Sequence, residues 1–309
     1  MKIGYFADGP WSHVALEKIV ACGEFKIVFI VPRYDTQDPV LKRWAEKLKI
    51  PYLICNNVNS KKFIAEIARY GADIFISMSF NQILKKEIIN FPPRGFINCH
   101  AGALPFYRGR CPLNWVLING EKTFGITVHE IDEGIDTGDI IEQRHYAIKI
   151  KDNYSSLLNV ATEQCAEVLL AALIKVKGGS FIKIKQHEIH PVGSYYGMRR
   201  SGDEVIDFQW TSERVINFIR GVSSPAPGAI FSYENVKYSI EKAGFIRDAP
   251  KYIGTAGEVI GRNEQGIVVK TGDSSVLLAK IKKLQSESED PYEVPQFRIG
   301  SRLNDLIGS

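Results

Sequence analysis

The sequence predicts an α/β fold: a Rossmann-like, mostly parallel sheet followed by a smaller C-terminal β-barrel. Three observations predict it. Short apolar runs alternate with segments carrying apolar residues at helical spacing through the first half. A long apolar stretch then closes that half just before Gly178-Gly179. From about residue 200 the texture changes to short β-rich runs, separated mostly by glycine-containing segments.

Taken in order, residues 2–7, 26–32 and 51–55 read as strands, and 13–21 and 39–49 as helices, the second with proline at its start. Residues 60–69 are a further helix candidate, 73–78, 95–99, 125–130 and 140–150 further strands, and 154–177 a long helix. This rhythm argues for a sheet covered on both faces. In the second half, 204–208 is strand-like, 212–220 a short helix, and SSPAPGAI a turn-rich passage. Runs at 236–240, 258–260, 266–270 and 276–283 then build the small barrel. The expected boundaries are a large first domain over 1–185, a linker over 186–203 and a small domain over 204–309. QSESEDPYEVP reads as a solvated acidic loop.

A chain of 309 residues can bury two cores, and 45% hydrophobic with 24% charged residues excludes a disordered polymer. The net charge of +4 could help attract an anionic ligand without specifying nucleic acid. The five cysteines form no CxxC pair, which suits a reducing compartment. The first residues hold too short an apolar run for a signal peptide, and no uninterrupted apolar run reaches the roughly 18 residues that would predict membrane insertion. Cytoplasm is the expected location.

Parallel sheets bind ligands beyond the carboxyl ends of their strands. GYFADGPW after the first strand lacks the G-x-G-x-x-G phosphate loop, which counts against an ordinary dinucleotide site. Two other strand ends carry chemistry: INCHAGALPFYRG at 97–109 and HEIDEGIDTGDII at 129–141. No HExxH or paired-histidine spacing supports a metal, so none is expected, and no G-x-S-x-G elbow supports a serine hydrolase. An asparagine donor, a histidine and a carboxylate remain. They suit a reaction in which a carbonyl oxygen becomes negative while an amine loses a proton. For N-x-H in isolation, Asn98 finishing its strand and His100 bonding within its own loop is the better reading.

Together, however, the two stretches resemble the formyltransferases that use N10-formyltetrahydrofolate. That family joins N-x-H and an L-P-x-Y-R-G-type loop to a later D-x-G-x-D-T-G-D-like segment, matched here by Asn98 and His100, by 104–109 and by 132–139. The resemblance implies Asn98, His100 and Asp136 as the catalytic trio. It also implies N10-formyltetrahydrofolate as formyl donor, near Phe80, Asn81, Gln82, Ile83 and Leu84 and near Asp132, which also shapes its turn. Tyr107 and Arg108 are the expected acceptor contacts, since a guanidinium pairs well with phosphate. One departure is Gly102-Ala103, where many relatives carry serine-leucine.

RGRCPLNWVLINGE at 108–121 is especially similar to the formyltransferase part of the enzyme acting on UDP-4-amino-4-deoxyarabinose. The resemblance implies an OB-like second domain. With no long basic run after residue 200, the expected acceptor is a nucleotide-linked amino sugar, of the kind used in lipopolysaccharide O-antigen synthesis, and not nucleic acid. Methionyl-tRNA formyltransferase is the alternative within the class, and a non-catalytic nucleotide-sugar or folate-binding module the alternative outside it. A homodimer is left open.

Overall fold

The computed structural model describes residues 1–179, 181–284 and 292–304. Most of the acidic passage at 285–295 lies outside the described residues. The chain divides into two compact units: 1–112, 124–147 and 158–197 form the first, and 113–123, 148–157 and residues from 198 onward the second.

The elements of the first 197 residues are β1 (Lys2–Ala7), α1 (Gly9–Cys22), β2 (Lys26–Pro32), α2 (Pro39–Leu48), α3 (Lys61–Ala68), β3 (Ile74–Met78), α4 (Lys86–Ile89), β4 (Phe96–His100), β5 (Arg108–Gly109), α5 (Pro112–Ile118), β6 (Thr123–Glu130), β7 (Ile140–Ala147), α6 (Tyr154–Gly178), α7 (Gln186–Ile189) and β8 (Tyr195–Tyr196). Six strands form one sheet in the order β2-β1-β3-β4-β6-β7. β1 pairs in parallel with β2 and β3, and β3 with β4. The central strands carry no alternation because both faces are covered: every residue of β3 and all but Lys2 of β1 are buried. Phe6, Phe29, Phe75 and Phe96 interlock on one face with centroids 4.9–5.9 Å apart.

The predicted Rossmann-like sheet is present, with two local differences. Residues 51–55 make only a bridge, Tyr52 to Ile30, because Pro51 has no N–H to extend a ladder. β6 runs antiparallel to β4, which its apolar run could not reveal. α6 is long and apolar enough by length and composition to cross a membrane. Its Ala161, Cys165, Ala166, Leu169 and Leu173 are instead fully buried within the protein.

The second unit contributes α8 (Ser212–Gly221), β9 (Ala229–Tyr233), β10 (Val236–Phe245), β11 (Val259–Asn263), β12 (Gly266–Lys270) and β13 (Ser275–Lys283). These strands form a five-stranded antiparallel sheet in the order β11-β12-β13-β10-β9, consistent with an OB-like subdomain. Phe231, Ile240, Val259, Ile267 and Leu278 meet Val215 and Ile219 of α8 in its core. Residues 204–208 reduce to one bridge, Val205 to Ile230, and β9 emerges from a passage whose prolines and glycine read as a turn.

Candidate active site

β1, β3 and β4 end on one edge of the first sheet, above a cavity of about 400 Å³. That is an ordinary size for a small-molecule site. Asn98, His100, Asp136, Asp132 and all five residues from Phe80 to Leu84 line it. The sequence-separated motifs therefore converge. Tyr107 and Arg108 do not line the cavity; Arg110 and Trp11 do.

β4 presents Asn98 and His100 as it ends. His100 is nearly buried, and its Nε2 lies 2.7 Å from the Tyr107 carbonyl. A carbonyl only accepts, so Nε2 carries a proton. Nδ1 of the same ring faces the Asp136 carboxylate at 3.7 Å. The close packing explains Gly102: a Cβ there would stand 2.6 Å from His100 Nε2 and 2.8 Å from the Tyr107 carbonyl. The polar groups of this loop are satisfied without a serine. Thr127 donates to the Gly102 carbonyl (2.7 Å), and Gln143 donates to the Leu104 carbonyl (2.9 Å) and to Thr127 (2.7 Å).

Asp136 is held at φ 55° and accepts the Gly109 N–H at 2.8 Å. Its other oxygen stands 3.5 Å from Nε2 of His129, a residue the motif reading did not single out. Burial raises the Asp136 carboxyl, but the His100 and His129 imidazoles and the Gly109 N–H overcome that and hold it well below the usual carboxylate range. The group is ionised at neutral pH. Asp132 ties down the same turn through the Gly134 N–H (3.0 Å) and the Thr137 hydroxyl (2.6 Å).

On the opposite wall, Gln82 is committed at both ends of its amide, accepting from Val58 N (3.0 Å) and donating to the Cys55 carbonyl (2.8 Å). Asn81 donates to Asp35, and Phe80 meets Phe6 edge to face at 5.6 Å. Phe80 thus belongs to both core and cavity. Ile83 is 80% exposed and Ile135 54%, and both lie on the cavity wall, where their apolar side chains are open to a ligand.

Arg108 grips its own fold. Its Nε and Nη2 donate to Gln186 Oε1 at 2.9 and 2.7 Å, and Nη1 to the Val192 carbonyl at 3.2 Å. Gln186, buried and absent from the sequence-derived candidates, turns its own NH2 on the carbonyls of Asp136 (2.8 Å) and Gly138 (2.7 Å). Tyr107 is buried and stacks on Tyr196 at 5.3 Å. Between the two arginines, Gly109 sits at φ +92°, and a Cβ there would meet the Tyr196 carbonyl at 2.3 Å. That glycine turns the chain so that Arg110 is exposed at the cavity, its guanidinium making no hydrogen bond or ion pair among the described residues. No group of three or more His, Cys, Asp or Glu among the described residues is arranged to hold a metal ion.

An asparagine, an ionised aspartate and two buried imidazoles thus meet at one strand end. Residues 22–173 match the family described as Formyl transferase, and residues 200–302 match Formyl transferase, C-terminal domain. This chain belongs to the formyltransferase family. The methionyl-tRNA formyltransferase of Halothermothrix orenii is 32% identical over 321 residues, covering 99% of this chain and 98% of that one. That of Syntrophus aciditrophicus is 32% identical and covers 86% and 83%. Among solved structures, WlaRD, a sugar 3N-formyl transferase determined with dTDP and 5-N-formyl-THF, superposes with a TM-score of 0.68 at 23% identity, covering 93% of this chain and 99% of that one. HypX from Aquifex aeolicus, in complex with tetrahydrofolic acid, gives 0.62 at 17%; the match covers 92% of this chain but only 44% of HypX.

Proposed function

We propose that the protein transfers a formyl group from N10-formyltetrahydrofolate to the primary amine of an aminoacylated initiator tRNA. The observation that carries the acceptor is the full-length, 32% match to a methionyl-tRNA formyltransferase, which extends through both units. It favours the tRNA over the amino sugar expected from the sequence. One observation keeps that sugar as a second reading: residues from 198 onward contain as many Asp and Glu as Lys and Arg, a weak electrostatic footprint for tRNA. The complex of the Helicobacter canadensis N-formyltransferase with dTDP-3-aminofucose, at a TM-score of 0.67 and 20% identity, is in keeping with it.

The cavity suits the donor: about 400 Å³, with Phe80, Ile83 and Ile135 offering apolar surface to a pterin. N10-formyltetrahydrofolate supplies an activated formyl group. Around it, Asn98 donates an amide N–H to the carbonyl oxygen as the amine attacks and that oxygen becomes negative. His100, its Nε2 proton fixed on Tyr107, turns Nδ1 to the Asp136 carboxylate and holds that group beside the reacting centre. Asp136, ionised between two rings, relays the proton the attacking amine loses, directly or through water; as the intermediate collapses, the bond between the formyl carbon and N10 breaks and that proton passes to N10, so tetrahydrofolate leaves with N10 neutral. Arg110 takes the part expected of Arg108 and meets a phosphate of the acceptor.

The test offers N10-formyltetrahydrofolate with charged initiator tRNA and with UDP-, dTDP- and GDP-linked amino sugars, and identifies products by mass. Formylation of the tRNA alone supports the first reading. Efficient formylation of a sugar with none of the tRNA replaces it by the second, and ligand binding without any product rejects catalysis.

A further inference from the structure

We infer that Lys61, Lys62, Lys85 and Lys86 form a subsite for the anionic glutamyl tail of the formyl donor, one that favours donors carrying several γ-linked glutamates. This rests on N10-formyltetrahydrofolate as that donor. A folate joins a pterin and an aminobenzoyl group to one or more glutamates, and each added glutamate brings one more carboxylate. The pterin is the part the cavity suits, so the tail has to leave over the rim. Gln82, Ile83 and Leu84 form one stretch of that rim. Over 82–85 the chain alternates: Gln82 is bonded into the protein, Ile83 is 80% exposed, Leu84 packs on the core and Lys85 is exposed again. The wall therefore opens to solvent at Ile83, and Lys85 follows on the same outward side, with Lys86 opening α4. Asn59 brings the other two lysines to the same place. Its Nδ2 donates to the Ile83 carbonyl and its Oδ1 accepts the Lys85 N–H, both at 2.8 Å. Ser60 then caps α3, whose first residues are Lys61 and Lys62. All four lysines are exposed. Among the described residues, lysine ion pairs belong to Lys18, Lys175, Lys177 and Lys183, so none of the four is paired. Glu66 and Glu87 are the acids of α3 and α4, which leaves this rim positive. One exposed ion pair is weak, but four cations fixed around one point act together on a chain of carboxylates tethered by its own pterin.

The probe is 5-formyltetrahydrofolate carrying one or five γ-linked glutamates, its binding to the whole protein measured by calorimetric titration at about 50 and about 500 mM NaCl. At roughly twofold per added carboxylate, the pentaglutamate is expected to bind about tenfold or more tightly than the monoglutamate at the lower salt. Screening should shrink that ratio to about twofold or less at the higher salt. Lys61→Gln with Lys62→Gln, and Lys85→Gln with Lys86→Gln, should each lower the ratio, and all four together should bring it to about one. Lys2→Gln with Lys26→Gln removes two exposed lysines at the amino-terminal ends of β1 and β2, on the opposite edge of the sheet, and should leave the ratio as in wild type. Equal affinities in wild type, a ratio that survives the fourfold substitution, or an equal loss in the Lys2 and Lys26 variant overturns the inference. Should the fourfold variant not fold, judged by circular dichroism, the two paired variants decide: a lowered ratio supports the inference and an unchanged ratio in both overturns it. Failure of either folate to bind would instead remove the donor assignment on which the inference stands.

Discussion

The carboxyl ends of β1 and β4 lie on the same edge of one sheet, yet their polar groups are committed in opposite ways. After β1 the chain fills its own anion site. The Gly9 N–H at the start of α1 donates to Asp38 Oδ2 at 2.8 Å, where dinucleotide folds receive a pyrophosphate. The same carboxylate takes the Val40 and Leu41 N–H groups and stands 2.6 Å from His13 Nε2. Burial works to raise the Asp38 carboxyl, and the Gly9 and Leu41 N–H groups with His13 bring it below its ordinary value. After β4, by contrast, Asn98 and Asp136 retain capacity that faces the cavity. Equivalent topology does not make equivalent chemistry; what remains unsatisfied at each end does.

The sharpest way to break this contrast is Asp136→Asn, expected to lower turnover roughly 10²- to 10⁴-fold with folding preserved. A near-normal pH–rate profile would end the assignment. Because the folded-state pKa of Asp136 is depressed, its stabilisation is fully present above the unfolded value of about 3.9 and disappears as pH falls through the folded one. Any melting-temperature advantage of wild type over Asp136→Asn should accordingly shrink on acidification below about pH 4. Asn98→Ala should cost roughly 3 kcal/mol in the transition state, about a hundredfold in kcat.

The two arginines sharpen the comparison further. Arg110→Ala should raise the acceptor KM about tenfold and leave the donor KM alone. Arg108→Ala should leave the acceptor KM within about threefold but destabilise the fold by ~1–3 kcal/mol, since a buried Gln186 oxygen loses its donors. A reversed pattern in steady-state kinetics would return the acceptor contact to Arg108. The smallest effect belongs to the β1 end: Asp38→Ala removes the α2 cap, about 1 kcal/mol by denaturant titration, with kcat unchanged. A large kcat loss there would show that this end also faces the reaction.

Much of this was legible in the sequence because it is local. Apolar runs gave the central strands, the proline at 39 marked the start of α2, and the two motif stretches named Asn98, His100 and Asp136. What escaped depends on register and turn geometry. Nothing in HEIDEGIDTGDII says that β6 is antiparallel, so nothing says that His129 lies opposite Asn98. Gln186 is as far from the motifs as an ordinary surface glutamine would be. Arg108 and Arg110 flank a glycine whose positive φ breaks the simple alternation of an extended strand, so the sequence does not show which of the two reaches the cavity. The family resemblance carried the reaction class but not the acceptor.

Gln186 has one more consequence, for anyone dissecting the chain. A truncation at residue 173, where the first family match ends, or at 185 would keep every motif residue yet remove the amide that joins Arg108 to the Asp136 turn. It would also remove Tyr196, whose carbonyl takes the Arg110 N–H and whose backbone pairs with Gly109. Such a fragment should behave as an inactive protein with an intact signature. The smallest excised piece worth assaying for the first unit runs through Gly197.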